Sequence, residues 1–183
     1  MWNGFRAVTV VMMAAWTLTS CNTAAKDAAG PVPETEQVVS AAIKKLYMDA
    51  AAAAPQSAAQ QKVILQMAEK ASNGKELLLV MRAAAGAFPA GTGSQLHPAE
   101  SQLGSLVTVK MMGLGTLDQL TEYSTQYNVN AENARPVVER LFRLGDQSTD
   151  PRAWYRIRIA AAHLKVADLE RQAQVRGDKL AGK

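Results

Sequence analysis

Residues 77–88, with the sequence LLLVMRAAAGAF, are apolar at almost every position, and Arg82 is their only charge. One face of a helix through this segment carries five apolar side chains at steps of three and four residues, namely Leu77, Val80, Met81, Ala84 and Phe88. Leu78 and Leu79 continue the apolar surface around the other side. A helix that is apolar nearly all round must be covered by protein on most of its surface. The segment therefore predicts a central, buried helix.

On both sides of this segment, apolar residues recur with the same helical spacing from residue 34 onward. The spacing predicts helices at about 34–54, 57–73, 77–88, 98–114, 116–127, 130–145 and 150–175. The strict alternation of Val, Ile, Thr and Tyr that is typical of strands is missing. The signature of tetratricopeptide-type repeats does not recur either. The expected fold class is all-α, an irregular bundle or a helical-hairpin array of about seven helices.

Several of the predicted helices begin at residues that favour a helix start. Pro98 suits a first helical position, because it has no N–H group to leave unbonded. Thr116 and Gln119 have the spacing of a capping box. Asp150 caps the last helix. This helix is predicted to continue without interruption to about Val175, a length of close to 40 Å.

The first 21 residues have the pattern of a secretory leader. Arg6 supplies positive charge near the start, residues 7–16 are apolar apart from Thr9, and small residues precede Cys21. The apolar run is about 12 residues, shorter than the ~20 residues that a helix needs to cross hydrocarbon. A permanent transmembrane span is therefore the weaker interpretation of this segment.

The end of the leader, Leu18-Thr19-Ser20-Cys21, resembles the lipobox of bacterial lipoproteins, over residues 1–21 only. The resemblance implies that residues 1–20 are a signal peptide and that Cys21 carries lipid on its thiol and on its new amino terminus. Two or three acyl chains anchor durably, because each buried methylene contributes about 0.8 kcal/mol. The alternative is a plain secreted protein in which a lone Cys is left over.

The residues after Cys21 set the expected location and domain boundaries. In Gram-negative lipoproteins, Asp after the lipidated Cys retains the protein at the inner membrane. Asn22 therefore favours, by the same resemblance, the outer membrane with the domain facing the periplasm. Residues 21–33 are expected to be the lipidated Cys and a flexible tether that spans at most about 40 Å. An all-α domain at 34–177 and a frayed tail at 178–183 complete the predicted organisation.

The net charge of +4 is unevenly distributed along the chain. Residues 131–183 hold eleven Lys and Arg against seven Asp and Glu, whereas residues 22–130 hold eight against nine. Eight of the arginines lie from Arg135 onward, and Arg is the cation that pairs with carboxylate or phosphate through two parallel hydrogen bonds. A solvated, salt-bridged helical face explains the same pattern. No nucleic-acid partner is expected for an exported, lipid-anchored protein.

A cluster of aromatic and cationic residues in the last helix is the best binding candidate. It consists of Arg152, Trp154, Tyr155 and Arg156, which are the residue types that dominate interface hot spots. Arg152 and Arg156 lie one turn apart and could present two guanidinium groups to an anionic partner. Trp154 also fits the apolar stripe of the helix, and the arginines could pair with Asp150 or Glu139. The core interpretation of Trp154 is the preferred one.

Glu100-Ser101 is the only lead toward an enzyme. Together with Gly113-Leu114-Gly115, it resembles the Glu-Ser and Gly-Leu elements of the lytic transglycosylases that cleave peptidoglycan. The resemblance implies Glu100 as the catalytic acid and base. The Gln expected after the Gly-Leu element and the later aromatic motifs are missing. An acid in a first helical turn is also stabilised there by the helix dipole.

No metal or other cofactor is expected, because His97 and His163 are the only histidines and neither has further ligands at metal spacing. The expected function is therefore that of a membrane-anchored cell-envelope lipoprotein with a non-catalytic interaction, assembly or adaptor role. Its expected partners are the lipid bilayer, through Cys21, and other envelope proteins. The alternative is a peptidoglycan-cleaving enzyme that uses Glu100.

Overall fold

The computed structural model describes residues 38–88 and 98–182, and within this part the side chains of residues 98–101 are left undescribed. The described residues all belong to one compact unit, Pro31–Lys183. The predicted signal peptide, the predicted lipidation site Cys21, the predicted tether and His97 lie outside the described residues. The side chain of Glu100 lies outside them as well.

The described part of the chain consists of eight α-helices and contains no strand, so the all-α prediction is confirmed. In chain order the helices are α1 (Ala41–Ala52), α2 (Ala58–Lys70), α3 (Gly74–Ala84), α4 (Pro98–Leu114), α5 (Leu117–Gln126), α6 (Ala131–Gly145), α7 (Pro151–His163) and α8 (Ala167–Leu180). They share a single hydrophobic core, to which each of the eight helices contributes buried side chains.

Helix α3 is the central helix that its apolar sequence predicts. It packs against α1, α2, α4 and α5, and Leu77 and Val80 are fully buried. It ends at Ala84, four residues before the predicted end, and the chain continues as a turn to Phe88. The side chain of Phe88 is still buried, so the apolar pattern extends beyond the helix itself.

The first helix begins later than predicted. Residues 38–40 are not helical, and α1 starts at Ala41 with Ser40 as its N-cap. The Ser40 hydroxyl accepts the N–H of Ile43, and the Ser40 N–H donates to the carboxylate of Glu76. Because the Ser40 N–H donates to Glu76, it cannot donate to a preceding helical carbonyl, and α1 therefore begins after Ser40.

The prediction of one long helix at 150–175 is wrong. The chain turns back after His163 and forms two antiparallel helices, α7 and α8. Lys165 adopts a left-handed conformation with φ of 59°. The N–H of Lys165 donates to the Ala162 carbonyl, and the N–H of Val166 donates to the Ala161 carbonyl. These bonds satisfy the last carbonyls of α7 as a glycine-based C-cap would. The apolar spacing runs through the turn, so it gives no sign of the break.

Helix α8 continues to Leu180, so residues 178–180 of the predicted frayed tail are helical. Gly177 is buried against the Tyr155 ring, and a Cβ at this position would lie 3.0 Å from a ring carbon and 3.3 Å from the Cβ of Trp154. Asp178 accepts hydrogen bonds from Tyr155 and Gln174. These contacts hold the last turn of α8 against α7.

Several helix termini meet at one end of the domain, which we call the Ser40 end. Ser40 and Glu76 join the starts of α1 and α3 there. A Cβ on Gly74, the first residue of α3, would overlap Oε1 of Gln119 and lie 3.0 Å from the Gly115 Cα. The start of α3 is therefore in direct contact with the turn between α4 and α5. The loop between α6 and α7 lies beside the start of α5 at the same end.

Candidate functional site

A groove of about 520 Å³ lies between the first turns of α5 and α7, at the Ser40 end. Its lining residues are Thr116, Leu117, Asp118, Ser148, Asp150, Arg152, Ala153 and Arg156. Two N-caps hold its walls in place. The Thr116 hydroxyl accepts the N–H of Gln119, and the Gln119 side chain accepts the N–H of Thr116, so the predicted capping box is confirmed. On the other wall, Asp150 accepts the N–H of Arg152, which confirms the predicted cap of α7.

Arg152 and Asp150 form an exposed ion pair on the α7 wall. The Arg152 Nε donates to both carboxylate oxygens of Asp150 at 3.1 Å. The hydrogen bond from the Arg152 side chain is the main cause that lowers the pKa of Asp150, and the bond from the Arg152 backbone adds to it. Asp150 in turn raises the pKa of Arg152. The pair is therefore ionised, and its guanidinium still has donors directed to solvent.

Arg156 bridges the two walls by pairing with Asp118 of α5. Both side chains are more than half exposed, at 57% and 54%. A second groove of about 290 Å³ is lined by Asp118, Thr121, Glu122 and Arg156. The Arg156–Asp118 pair therefore lines both grooves.

Trp154 and Tyr155 point away from the groove, so the four predicted binding residues do not form one surface. Trp154 is only 3% exposed and meets the Phe142 ring edge-on, with centroids 5.1 Å apart. The Arg176 guanidinium lies 4.7 Å from the Trp154 ring centroid. The Tyr155 hydroxyl donates to Asp178 of α8 at 2.9 Å. The core interpretation of Trp154 is confirmed, and only Arg152 and Arg156 line the groove.

The groove has the chemistry of a binding surface. Its hydroxyl groups serve as local caps, because Thr116 accepts from Gln119 and Ser148 accepts from the N–H of Asp150. Its charged side chains form exposed pairs, and such pairs contribute little stability, with a median of about 0–1 kcal/mol. A partner can therefore exchange with them at small cost. Arg is also a residue type that is enriched where interfaces gain most of their binding energy.

A second cationic feature lies on α6, and the sequence patterns do not single it out. Arg140 and Arg143 are one helical turn apart, and within the described residues neither forms an ion pair. The Nε of Arg140 is buried and has no hydrogen-bond partner there. Burial lowers the pKa of Arg140, and the nearby charge of Arg143 lowers it further. The Nε of Arg158 is the other such atom, but Arg158 lies close to Tyr155 and therefore near Asp178.

The Glu76 carboxylate is the most enclosed charge in the described structure. The residue is 1% exposed, and its oxygens accept the N–H groups of Ser40 and Ser72, each at 2.7 Å, and the Ser72 hydroxyl at 2.9 Å. Burial alone raises the pKa of Glu76. The hydrogen bonds from Ser40 and Ser72 outweigh it, so the pKa lies below its ordinary value. Glu76 therefore stays ionised and has a structural role.

The remaining sequence candidates are not brought into the groove. The backbone of Glu100 lies in the first turn of α4, as predicted, and its side chain is not among those that the structure describes. His163 is exposed in the last turn of α7, at the opposite end of that helix from the groove. Within the described residues, no three His, Cys, Asp or Glu side chains stand close enough to share a metal ion.

Comparison with known proteins gives no relatives: the chain matches no protein-family model, no curated protein and no solved structure. Of the helices described, none combines the length and the apolar character that a bilayer crossing requires.

Proposed function

We propose that this protein is a membrane-anchored lipoprotein of the bacterial cell envelope whose helical domain is a non-catalytic adaptor for other envelope proteins. The observation that carries the adaptor role is the groove between α5 and α7, in which Arg152 and Arg156 are exposed and held only by exchangeable surface pairs. The lipobox resemblance of residues 18–21 supports the anchor. Its expected location is the outer membrane, with the domain in the periplasm.

The anchor is tested by acylation of the chain in cells. Labelled palmitate is supplied to cells that express the chain, and the label on the purified protein is compared with that on the Cys21→Ser variant. We expect label on the natural chain only, together with a mass that corresponds to loss of residues 1–20. An unmodified Cys21 in protein from envelope fractions would contradict the anchor.

The adaptor role is tested by crosslinking in cells, followed by identification of the attached proteins. The test variant is Arg152→Gln/Arg156→Gln. The matched control is Arg171→Gln/Lys179→Gln, which removes the same charge from exposed positions on α8. We expect the test variant to lose specific crosslinked proteins that the control retains. The same set of crosslinked proteins in both variants would remove the groove from the proposal.

The enzyme alternative is separated from the adaptor role by Glu100→Gln. An adaptor should retain its crosslinked partners and its effect on the cell with this substitution, because Gln keeps the size of the side chain. Loss of peptidoglycan turnover in the Glu100→Gln variant, with folding unchanged, would favour the enzyme instead.

A further inference from the structure

Two guanidinium groups on α6, those of Arg140 and Arg143, form no ion pair within the described residues. Arg140 and Arg143 lie at positions i and i+3, where like charges repel. The two nearest acids along α6 are already engaged, since Glu139 lies 3.7 Å from Arg135 and Asp146 pairs with Arg176. Within the described residues, the buried Nε of Arg140 also has no hydrogen-bond acceptor.

Such an arrangement is unfavourable for the isolated domain and becomes favourable when an anion binds. A guanidinium group presents a planar set of N–H donors that matches the oxygens of a phosphate. Two of them one turn apart can hold separate oxygens of one phosphate group. The bound anion would accept hydrogen bonds from the terminal N–H groups of both arginines and would neutralise the repulsion between them.

The position of these arginines indicates where the phosphate comes from. They lie in the last two turns of α6. The loop that follows α6 contains Ser148, which lines the groove at the Ser40 end. Val38 and Ser40, the first described residues, are bound at that same end by Asn73 and Glu76. A lipid on Cys21 would thus be joined to this end by a chain of at most about 60 Å. If Cys21 is the anchor, the Ser40 end is therefore the end of the domain that is held within this distance of the bilayer.

We propose that Arg140 and Arg143 form a phosphate-binding site that takes the headgroup phosphate of an anionic phospholipid, so that the Ser40 end faces the membrane. The membrane source of the phosphate rests on the proposed anchor. The phosphate chemistry rests only on the two arginines, and a free phosphate is the other source to be separated by experiment.

The experiment uses the full chain with Cys21→Ser, so that acylation contributes nothing to its result. Binding is measured by co-sedimentation with vesicles of phosphatidylcholine, with and without phosphatidylglycerol. Each Arg near an anionic surface strengthens binding about fivefold, so Arg140→Gln/Arg143→Gln should lower the preference for anionic vesicles by roughly 25-fold. Any binding through the leader is shared by all variants and cancels from the comparison.

The matched control is again Arg171→Gln/Lys179→Gln, which removes the same net charge from α8. We expect it to keep most of the preference for anionic vesicles. Equal losses in the two double variants would mean that only net charge acts, and the proposed site would be rejected. Thermal unfolding should show Arg140→Gln/Arg143→Gln to be as stable as the parent chain or more so, because it removes a repulsion. A clear decrease would indicate a structural role and overturn the proposal.

Inorganic phosphate distinguishes the two sources. For a headgroup site, phosphate in solution should compete with anionic vesicles for the parent chain. If it instead raises the Tm of the parent chain and not of Arg140→Gln/Arg143→Gln, while vesicle binding is the same for both, the site binds free phosphate and the membrane assignment is wrong. Failure of palmitate labelling at Cys21 would contradict the anchor without changing any of these vesicle results.

Discussion

Glu76 and Asp118 are two carboxylates near the same end of the domain, and their surroundings differ completely. Glu76 is buried at the junction of α1 and α3 and accepts hydrogen bonds from the backbone N–H groups of Ser40 and Ser72 and from the Ser72 hydroxyl. Asp118 lies in the open groove and pairs with an arginine that is itself more than half exposed. A buried carboxylate with fixed donors is hard to replace, whereas an exposed pair exchanges readily. The junction of α1 and α3 therefore has the stronger effect on stability, whereas the groove is the surface that we propose for binding.

The largest effect is expected from Glu76→Gln. The amide that replaces the carboxylate can accept through one oxygen only, and its nitrogen then faces an N–H group of Ser40 or Ser72. We expect a loss of about 3 kcal/mol in the free energy of unfolding, measured by urea denaturation at neutral pH. Glu69→Gln, which alters an exposed acid on α2, should change stability by less than about 0.5 kcal/mol. Similar losses in both variants would contradict the special position of Glu76.

Gly74→Ala should have the next largest effect, because the added Cβ overlaps the buried side chain of Gln119. Moving Gln119 also disturbs the capping box of α5. We expect a loss of about 2 kcal/mol, in the range of overpacked cores. Gly113→Ala is the control, since no atom lies within 4 Å of its added Cβ and it replaces glycine within α4. That variant should gain about 0.5–1 kcal/mol. A destabilised Gly113→Ala would show that the contact with Gln119 is not the cause.

The pH dependence of stability reports on the ionised form of the buried Glu76 carboxylate. The pKa of Glu76 is lowered in the folded state, so its stabilisation is complete above the ordinary value of 4.5 and is lost as the pH falls through the folded-state value. We therefore expect the stability difference between the parent chain and Glu76→Gln to shrink below about pH 4.5. The lowered pKa values of Asp150 and Asp168 act in both chains and cancel. A difference that is constant with pH would mean that the charge of Glu76 does not matter.

The smallest effect is expected in the groove. Asp118→Asn removes the partner of Arg156, and both side chains are largely exposed. We expect a change of less than about 1 kcal/mol by the same urea denaturation measurement. Arg156→Gln should give a similar value, and a double-mutant cycle should give a coupling free energy of less than about 1 kcal/mol for the pair. A loss above about 2 kcal/mol would show that the pair stabilises the fold and is not available for exchange.

The sequence predicts those features that depend on local chemistry. Helical spacing and capping residues identify the all-α class, the central helix α3, the capping box at Thr116 and the cap at Asp150. They also place Trp154 in the core. Each of these depends on residues within about one or two turns of one another, and a single sequence displays such relations directly.

The features that the sequence does not predict depend on distant or unusual partners. The Glu76 carboxylate accepts the N–H of Ser40, which lies 36 positions earlier in the chain, and Gly74 packs against Gln119 of α5. The turn at Lys165 is hidden because a lysine occupies a left-handed position where a glycine would have marked the break. Arg140 has no ion-pair partner within the described residues, because the fold pairs the neighbouring acids Glu139 and Asp146 with other arginines. Apolar spacing along the chain contains no information about these pairings.

The attachment of Ser40 to Glu76 also determines how force enters the domain. Any pull on the chain before residue 38 reaches the core first through the Asn73 side chain, which donates to the Val38 carbonyl, and then through the Ser40 N–H on Glu76. These bonds hold residues 38–40 to the buried start of α3, so tension is transmitted to the interior and does not unwind α1 from its end. If the chain is tethered at Cys21, this small junction is the mechanical link between the membrane and the folded protein.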